Sequence, residues 1–293
     1  MLMIIDGNNL FVRAYHATDR QHLTANGEST AALTAFTGGL TRILREYRPD
    51  RLVFCWDGGG SAYRTRLLPE YKGNRNGSPK HSQVYRDYLK QTRQFLALSN
   101  IHQCARPGFE ADDLVARYWY DADEEVLIVS NDKDFFQLTG PNPQGHECRI
   151  LRISSSGVPN ELWDAKRVQQ HTKVPPVHIP SWMALTGDQS DNVPGVHGVG
   201  PVRAAALLRE AGWALDAIED PGVRQARAQV LKNRLLVNLR LPVPELELPP
   251  VPPFDPTGSH SALFISFEDF LKRYSMQGML GRLYRGELWA DAA

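Results

Sequence analysis

The sequence predicts an α/β protein: a central, mainly parallel sheet flanked by helices, followed by a helical module. Three observations carry that expectation. Short apolar runs at 2–5, 51–56 and 126–129 each lead into acidic residues. Stretches of helical periodicity separate them, as crossovers between parallel strands require. From about residue 162 the pattern turns helical and is interrupted by a glycine-rich hairpin.

Taken in order, Leu2 to Ile5 is a buried strand that delivers Asp6 at its C-terminal edge, where open α/β sheets gather ligand groups. A turn-forming Asp6-Gly7 is the plainer alternative. Residues 30–47 read as a helix. Arg51 to Trp56 is a second strand, ending at Asp57 before three glycines. Residues 61–93 hold eight Lys or Arg (Arg64, Arg66, Lys72, Arg75, Lys80, Arg86, Lys90, Arg93) against Glu70 and Asp87, a local charge of +6. Tyr63, Tyr71, Tyr85 and Tyr88 interleave with them. Such a mixture suits phosphates and stacked bases of a single strand, and equally a solvated basic helix face. Gly73, Gly77 and Pro79 place a loop within it.

A helix over 91–99 precedes Gly108-Phe109-Glu110-Ala111-Asp112-Asp113-Leu114, where three carboxylates fall within four residues at a helix start. Glu110 and Asp113, three apart, would share a face with Asp112 beside them. Acids also favour a helix N-terminus for its dipole, so a solvated helix start is the competing reading. Val126 to Val129 is a third strand and runs into Asp132-Lys133-Asp134; Arg149 to Ile153 is a further one. In the segment that follows Gly187-Asp188, Gly195-Val196-His197-Gly198-Val199-Gly200 is a tight hairpin ahead of a helix at 203–210. Its glycines would let backbone N–H groups approach a phosphate. Their spacing is not that of a dinucleotide fingerprint, and no strand precedes them. Seven prolines in 242–258 mark an extended connector, and a helical stripe returns from Phe267 to Tyr284.

Composition bounds the function. The 293 residues are 42% hydrophobic and 23% charged, with a formal net charge of zero, ordinary for a globular protein and without a global basic signature. Cys55, Cys104 and Cys148 are far apart and lack metal spacing, so reduced thiols in a cytoplasmic protein are expected. The N-terminus lacks the features of a signal peptide, and no apolar run is long enough to span a membrane.

Strand ends, a helix start and the hairpin thus offer nine acids: Asp6, Asp57, Glu110, Asp112, Asp113, Asp132, Asp134, Asp188 and Asp191. Crowded carboxylates are costly without a cation. All-oxygen ligation favours Mg²⁺, with Mn²⁺ as a substitute, over Zn²⁺. Two such ions would activate water and stabilise the leaving oxygen of a phosphodiester.

With Arg13 to Ala17, Pro69-Glu70-Tyr71-Lys72-Gly73-Asn74-Arg75 and the acidic motifs in this order, residues 1–210 resemble the 5′-nuclease superfamily of bacteriophage flap endonucleases and the 5′-nuclease domain of bacterial DNA polymerase I. The resemblance implies a PIN-like nuclease domain (1–165, with a helical arch near 63–95), a helix–three-turn–helix DNA-binding module with the connector (166–258), and a helical tail (259–293). It implies one metal served by Asp6, Asp57, Glu110, Asp112 and Asp113, and another by Asp132, Asp134, Asp188 and Asp191. Lys72 and Arg75 would contact the scissile phosphate at the base of the arch. Tyr71 would stack on a base. K⁺ would sit on backbone carbonyls of Leu185, Thr186, Pro194, Val196 and Val199. DNA contacts would include Arg13, Gly195, Gly198, Gly200 and Arg203. Val202 stands where the family usually has Lys, and nothing beyond the tail resembles a polymerase domain. The expected protein is a monomeric, stand-alone nuclease of the bacterial or phage-host cytoplasm that cuts DNA at 5′ flaps and junctions and has 5′-3′ exonuclease activity. A non-catalytic junction-binding protein and a PIN-type ribonuclease are the alternatives.

Overall fold

The computed structural model describes residues 1–18, 24–25, 28–73, 83–154, 158–241, 243–257 and 263–290. The chain runs β1 (Leu2–Asp6), α1 (Gly7–Ala17), a short antiparallel pair β2 (Thr24–Ala25) and β3 (Glu28–Ser29), α2 (Ala31–Tyr47), β4 (Arg51–Trp56), α3 (Ala62–Leu67), α4 (Gln83–Leu98) and β5 (His102–Ala105). There follow α5 (Ala111–Asp121), β6 (Val126–Val129), a 3-10 turn Lys133–Leu138, β7 (Gly140–Pro141), β8 (Glu147–Arg152) and β9 (Glu161–Trp163). The remainder is helical: α6 (Ala165–Thr172), α7 (Ile179–Thr186), α8 (Pro201–Glu210), α9 (Pro221–Gln225), α10 (Arg227–Val237), α11 (Phe264–Arg273) and α12 (Gln277–Arg285). Two compact units result: Met1–Trp56 with Ser78–Cys104 and Pro249–Ala293, and Asp57–Gly77 with Ala105–Leu248.

In the first unit β1 and β4 pair in parallel, with Asp6 opposite Cys55, and β5 lies beside β4. The continuous apolar sequences of β1 and β4 match strands buried on both faces. The Asp6 side chain caps α1 by accepting the Asn9 N–H at 3.0 Å. Gly7 is required there, because a Cβ would lie 2.8 Å from the Trp56 indole. On α4, Tyr85 meets Phe11 and Tyr15 edge-on at 5.1 and 5.3 Å, and Tyr88 is buried too. These two tyrosines are core, not the base-stacking surface that their basic neighbours suggested. Phe95 from the other end of α4 packs against Phe267 and Trp289, so the tail belongs to this unit's core. The proline connector joins it through Phe254, whose N–H donates to the Asp50 carbonyl at 2.8 Å.

In the second unit β6 and β8 pair in parallel, and the short β7 and β9 flank β8 antiparallel. Buried Gln137 ties the turn after β6 to the end of α10: its amide donates to the Val237 carbonyl at 3.0 Å and accepts the Leu239 N–H at 2.8 Å. The helical module has its own apolar core from α7, α8, α9 and α10, including Leu185, Val196, Val199, Leu208 and Val230. Within its hairpin Gly187 and Gly195 lie back to back. Gly187 has φ 70° and ψ −179°, and a Cβ there would stand 2.3 Å from the Gly195 nitrogen.

The α/β class with its helical module is as expected, and so is the burial of the apolar strands. Several boundaries differ. α4 begins at Gln83 rather than 91, because Tyr85 and Tyr88 extend its buried stripe. The tail is two helices, broken where Ser275 takes φ 53°. β5 and β9 are too short and too mixed in polarity to give a strand signal. Among the described residues, no helix is long and apolar enough to cross a membrane.

The hairpin geometry predicts that Gly187→Ala destabilises the protein by roughly 2 kcal/mol or more, since only glycine adopts this conformation without strain. Urea unfolding measures it; a loss below about 0.5 kcal/mol, typical of an unremarkable surface site, contradicts it.

Candidate metal centre

Eight of the nine candidate acids fall in the second unit; Asp6 belongs to the first. The N-terminus of α5 gathers the first group. Glu110 is its N-cap, and Asp112 and Asp113 sit in the first turn, where the dipole favours negative charge. Asp57, at the end of the second apolar strand, accepts the Ala111 N–H at 3.1 Å, and Asp113 Oδ2 accepts the Glu110 N–H at 3.0 Å. Glu110 therefore precedes the helix instead of sharing a face with Asp113, which folds back on it.

Both acids meet Arg64. Ser61 caps α3 by accepting the Arg64 N–H at 3.1 Å, which turns this side chain inward. Arg64 Nη1 lies 2.8 Å from Asp113 Oδ1 and 3.3 Å from Glu110 Oε2, and Nε donates to the Leu236 carbonyl at 2.8 Å. Although burial lowers the guanidinium's pKa, Asp113, Tyr71 and Glu110 raise it further, so the charge is permanent. Arg64 is 5% exposed. The reading of the 61–93 stretch as one basic surface therefore fails at this residue. The missed signal is Ser61, a helix cap three residues before Arg64.

The turn 69–73 adds two more groups. Lys72 Nζ is 2.5 Å from Glu110 Oε1 and 3.6 Å from Asp191 Oδ2. Burial lowers its pKa, but Asp112, Glu110 and Asp191 prevail and hold the ammonium above its ordinary value. The Tyr71 hydroxyl is 2.9 Å from both Glu110 Oε2 and Asp191 Oδ2. It carries a single proton and donates to one of them at a time. Burial, first, and the adjoining carboxylates keep this phenol protonated. Tyr71 is thus turned toward the acids, with Lys72 over its ring at 5.0 Å, rather than offering that ring to a base. Two hydrogen bonds dock this turn on the module's loop: the Lys72 N–H donates to the Asp191 carbonyl at 2.9 Å and the Asn192 side-chain amide to the Glu70 carbonyl at 2.8 Å. Lys72 takes φ 55° to make its contact.

The other acids follow β6 and lie in the hairpin. Asp132 caps the 3-10 turn through the Asp134 N–H at 2.9 Å. Asp134 Oδ1 is buried with no hydrogen-bond donor. Burial, then Asp132 and Asp188, push its carboxyl well above the usual range. Asp188 behaves oppositely: burial raises its pKa, but hydrogen bonds from Ser190 and the Lys133 ammonium at 3.1 Å hold it below the ordinary value. Asp112, Asp134, Asp188 and Asp191 line one small cavity with Arg64 and Tyr71. The structure thus brings Asp112 to the second group of acids. Lys133, quoted only as part of a motif, proves to be the counter-ion of Asp188.

The donors are all oxygen, and a buried carboxylate oxygen lacking any donor is the kind of atom that a hard cation satisfies. Among the described residues no three acidic, His or Cys side chains converge tightly enough to cage an ion as they stand. Arg64, Lys72 and Lys133 hold Glu110, Asp113, Asp191 and Asp188 in ion pairs instead.

Of the remaining candidates, Arg75 lies outside the described residues. Arg13 is half-buried on α1 of the first unit. In the hairpin the Leu185 carbonyl accepts the Val196 N–H at 2.8 Å, and the Val196 carbonyl accepts that of Val199 at 3.0 Å. The Pro194 carbonyl accepts Gln229 and Asn233 side chains. The Thr186 carbonyl faces Gly195 closely enough to exclude a Cβ there. Gly198 turns the hairpin with φ 73°, and Gly200 caps α8. Arg203 donates to the Gly198 carbonyl at 3.2 Å and pairs with Asp220 at 2.6 Å; Val202 beside it is 87% exposed.

A parallel-sheet unit with a carboxylate pocket and a glycine-hairpin helical module defines the architectural class of the 5′ nucleases. Residues 1–173 match the N-terminal resolvase-like domain of 5′-3′ exonucleases, and residues 174–246 their C-terminal SAM fold. The chain belongs to the 5′-3′ exonuclease family, a family of phosphodiesterases. A 5′-3′ exonuclease of Aquifex aeolicus is 32% identical over 217 residues, 72% of this chain and 70% of that one. DNA polymerase I of Mycobacterium bovis is 30% identical over 266 residues, 85% of this chain but only 28% of the polymerase. Among solved structures, the bacteriophage T5 flap endonuclease in a pseudo-enzyme–product complex with DNA and metal ions superposes with a TM-score of 0.67 at 21% identity, covering 94% of this chain and 99% of that one. At that identity the likeness is one of fold.

Because Asp134 binds its proton more tightly folded than unfolded, it favours the fold at low pH. That contribution is lost as pH rises from the unfolded value near 3.8 through the raised folded value. Asp134→Asn, with no proton to lose, is predicted to raise the Tm of EDTA-treated protein at neutral pH, by about 2–4 °C for each kcal/mol regained. Thermal melts across pH check this; a Tm that falls or stays level contradicts it.

Proposed function

We propose that this chain is a structure-specific 5′ nuclease, hydrolysing DNA phosphodiesters at 5′ flaps and single-strand/duplex junctions with 5′-3′ exonuclease activity. Its setting would be DNA replication and repair. The observation that carries the reading is the cavity lined by Asp112, Asp134, Asp188 and Asp191, with the undonated Asp134 oxygen buried beside it. These four, with Glu110, Asp113 and Asp132 around them, would hold two divalent cations, Mg²⁺ or Mn²⁺. When bound, such ions supply the Lewis acidity that activates water and stabilises charge on a leaving oxygen. Asp57 would act mainly by fixing the start of α5, given its bond to Ala111. Asp6 enters this reading only through the family motif that begins the chain.

Lys72 is the best placed cation for the substrate. Its ammonium stays charged at neutral pH, is reachable from solvent and is tethered by its own main chain to Asp191. It would leave Glu110 to meet a phosphate oxygen and the charge that develops there; Arg75 would share that role. The hairpin would hold K⁺ on carbonyls of Leu185, Thr186, Pro194, Val196 and Val199, leaving the N-terminus of α8, with Gly195, Gly198 and Gly200, to face a duplex phosphate. Arg203 supports this geometry through the Gly198 carbonyl. Three buried, unbridged cysteines suit a reducing cytoplasm, and action as a monomer completes the reading.

A 5′-flap oligonucleotide tests it. Cleavage near the junction is expected with Mg²⁺ and not with EDTA or Ca²⁺. Binding without any Mg²⁺-dependent product would leave a junction-binding protein, and preference for single-stranded RNA a PIN-type ribonuclease. Lys72→Ala is predicted to lower turnover by about 10²–10³-fold, with flap affinity changed far less. An equal loss in both reduces Lys72 to a docking contact.

A further inference from the structure

Arg64 differs from the other cations beside the acids. Lys72 and Lys133 reach them on flexible stems with side chains 19% and 59% exposed, so each can exchange its carboxylate for another anion. The Arg64 side chain is 6% exposed and is fixed from three sides: its own cap Ser61, the start of α5 through Glu110 and Asp113, and the α10 carbonyl of Leu236. A guanidinium does not lose its proton under physiological conditions. It lines the same cavity as Asp112, Asp134, Asp188 and Asp191. A permanent positive charge therefore shares the pocket with four carboxylates, the rest of its lining being Tyr71 and the apolar Val193, Leu236, Val237 and Leu239.

We propose that Arg64 is a positioning residue and internal counter-cation, which orients Glu110 and Asp113 while weakening the pocket's hold on divalent ions. The proposal rests on the metal-dependent reading above. Two consequences of opposite sign follow. Taking the charge away leaves the pocket more negative, frees Asp113 Oδ1 and leaves Glu110 Oε2 with the Tyr71 hydroxyl, so a divalent cation binds more tightly. The same change releases two carboxylates from their set orientation, so turnover falls. A purely structural arginine would instead lower stability, metal affinity and turnover together.

The test compares wild type with Arg64→Gln and Arg64→Lys. Mn²⁺ affinity is read by electron paramagnetic resonance titration, stability by melting with and without Mn²⁺, and kcat and KM on a 5′-flap substrate. Arg64→Gln is expected to bind Mn²⁺ roughly tenfold more tightly, to gain more Tm from Mn²⁺ than wild type does, and to lose kcat at little cost in KM. Arg64→Lys, which keeps the charge, is expected to return Mn²⁺ affinity toward wild type. If the glutamine variant is unstable without metal, the larger Mn²⁺-dependent gain in Tm remains the supporting result. Weaker or unchanged Mn²⁺ binding in Arg64→Gln overturns the proposal, as does a lysine variant that binds like the glutamine one. A wild type that binds no Mn²⁺ overturns the metal reading itself, and it is recognised by a flat titration in every variant.

Discussion

Like charges at close range repel, and the second unit is built around that repulsion. Glu110, Asp112 and Asp113 begin one helix, while Asp188 and Asp191 arrive on a hairpin far away in sequence. Their convergence has to be neutralised group by group. Arg64 is buried for this purpose, at a desolvation cost offset by its ion pairs with Asp113 and Glu110 and by its hydrogen bonds to Ser61 and the Leu236 carbonyl. Lys72 accepts an unusual backbone conformation to reach Glu110 and Asp191. At Asp134, where burial and the neighbouring Asp132 and Asp188 outweigh Lys133, the carboxyl is instead pushed toward its protonated form. One electrostatic problem thus receives three local solutions.

The same contacts decide how the helical module is held. Tyr71 and Lys72 each bridge Glu110 and Asp191, and the adjoining main chain is tied to Asp191 and Asn192. A motif that would be read only as a set of substrate contacts is therefore also a clasp on the hairpin loop. The hairpin in turn depends on the close approach of Gly187 and Gly195, since a side chain on either would push the loop bearing Asp188 and Asp191 out of register. Packing at the glycines and charge balance at the acids are linked through the loop 188–194.

The parallel strands were legible because burial on both faces leaves an uninterrupted apolar run, as at Leu2–Ile5 and Val126–Val129. Seven of the nine acids were legible because they follow a strand or open a helix, and Asp188 and Asp191 because they sit in the glycine-rich loop. What escaped were properties set by partners distant in sequence. Arg64 looks like any other basic residue until Glu110, Asp113 and Leu236 are brought to it. Tyr85 and Tyr88 look like a binding surface until Phe11 and Tyr15 cover them. The strand β9 and the break at Ser275 lack local signals altogether, because three mixed residues and one serine in a left-handed conformation are decided by tertiary packing. Asp112 lines a cavity with Asp134, Asp188 and Asp191, a grouping that sequence spacing alone does not reveal.

The central claim is that the cavity between Asp112, Asp134, Asp188 and Asp191 exists to take divalent cations. Anomalous diffraction from crystals soaked in Mn²⁺ tests it most directly. The account predicts peaks within coordinating distance of these carboxylates, with Lys72 withdrawn from Glu110. Crystals that take up Mn²⁺ elsewhere but leave this cavity without a peak, its acids still paired with Lys72 and Lys133, would contradict it.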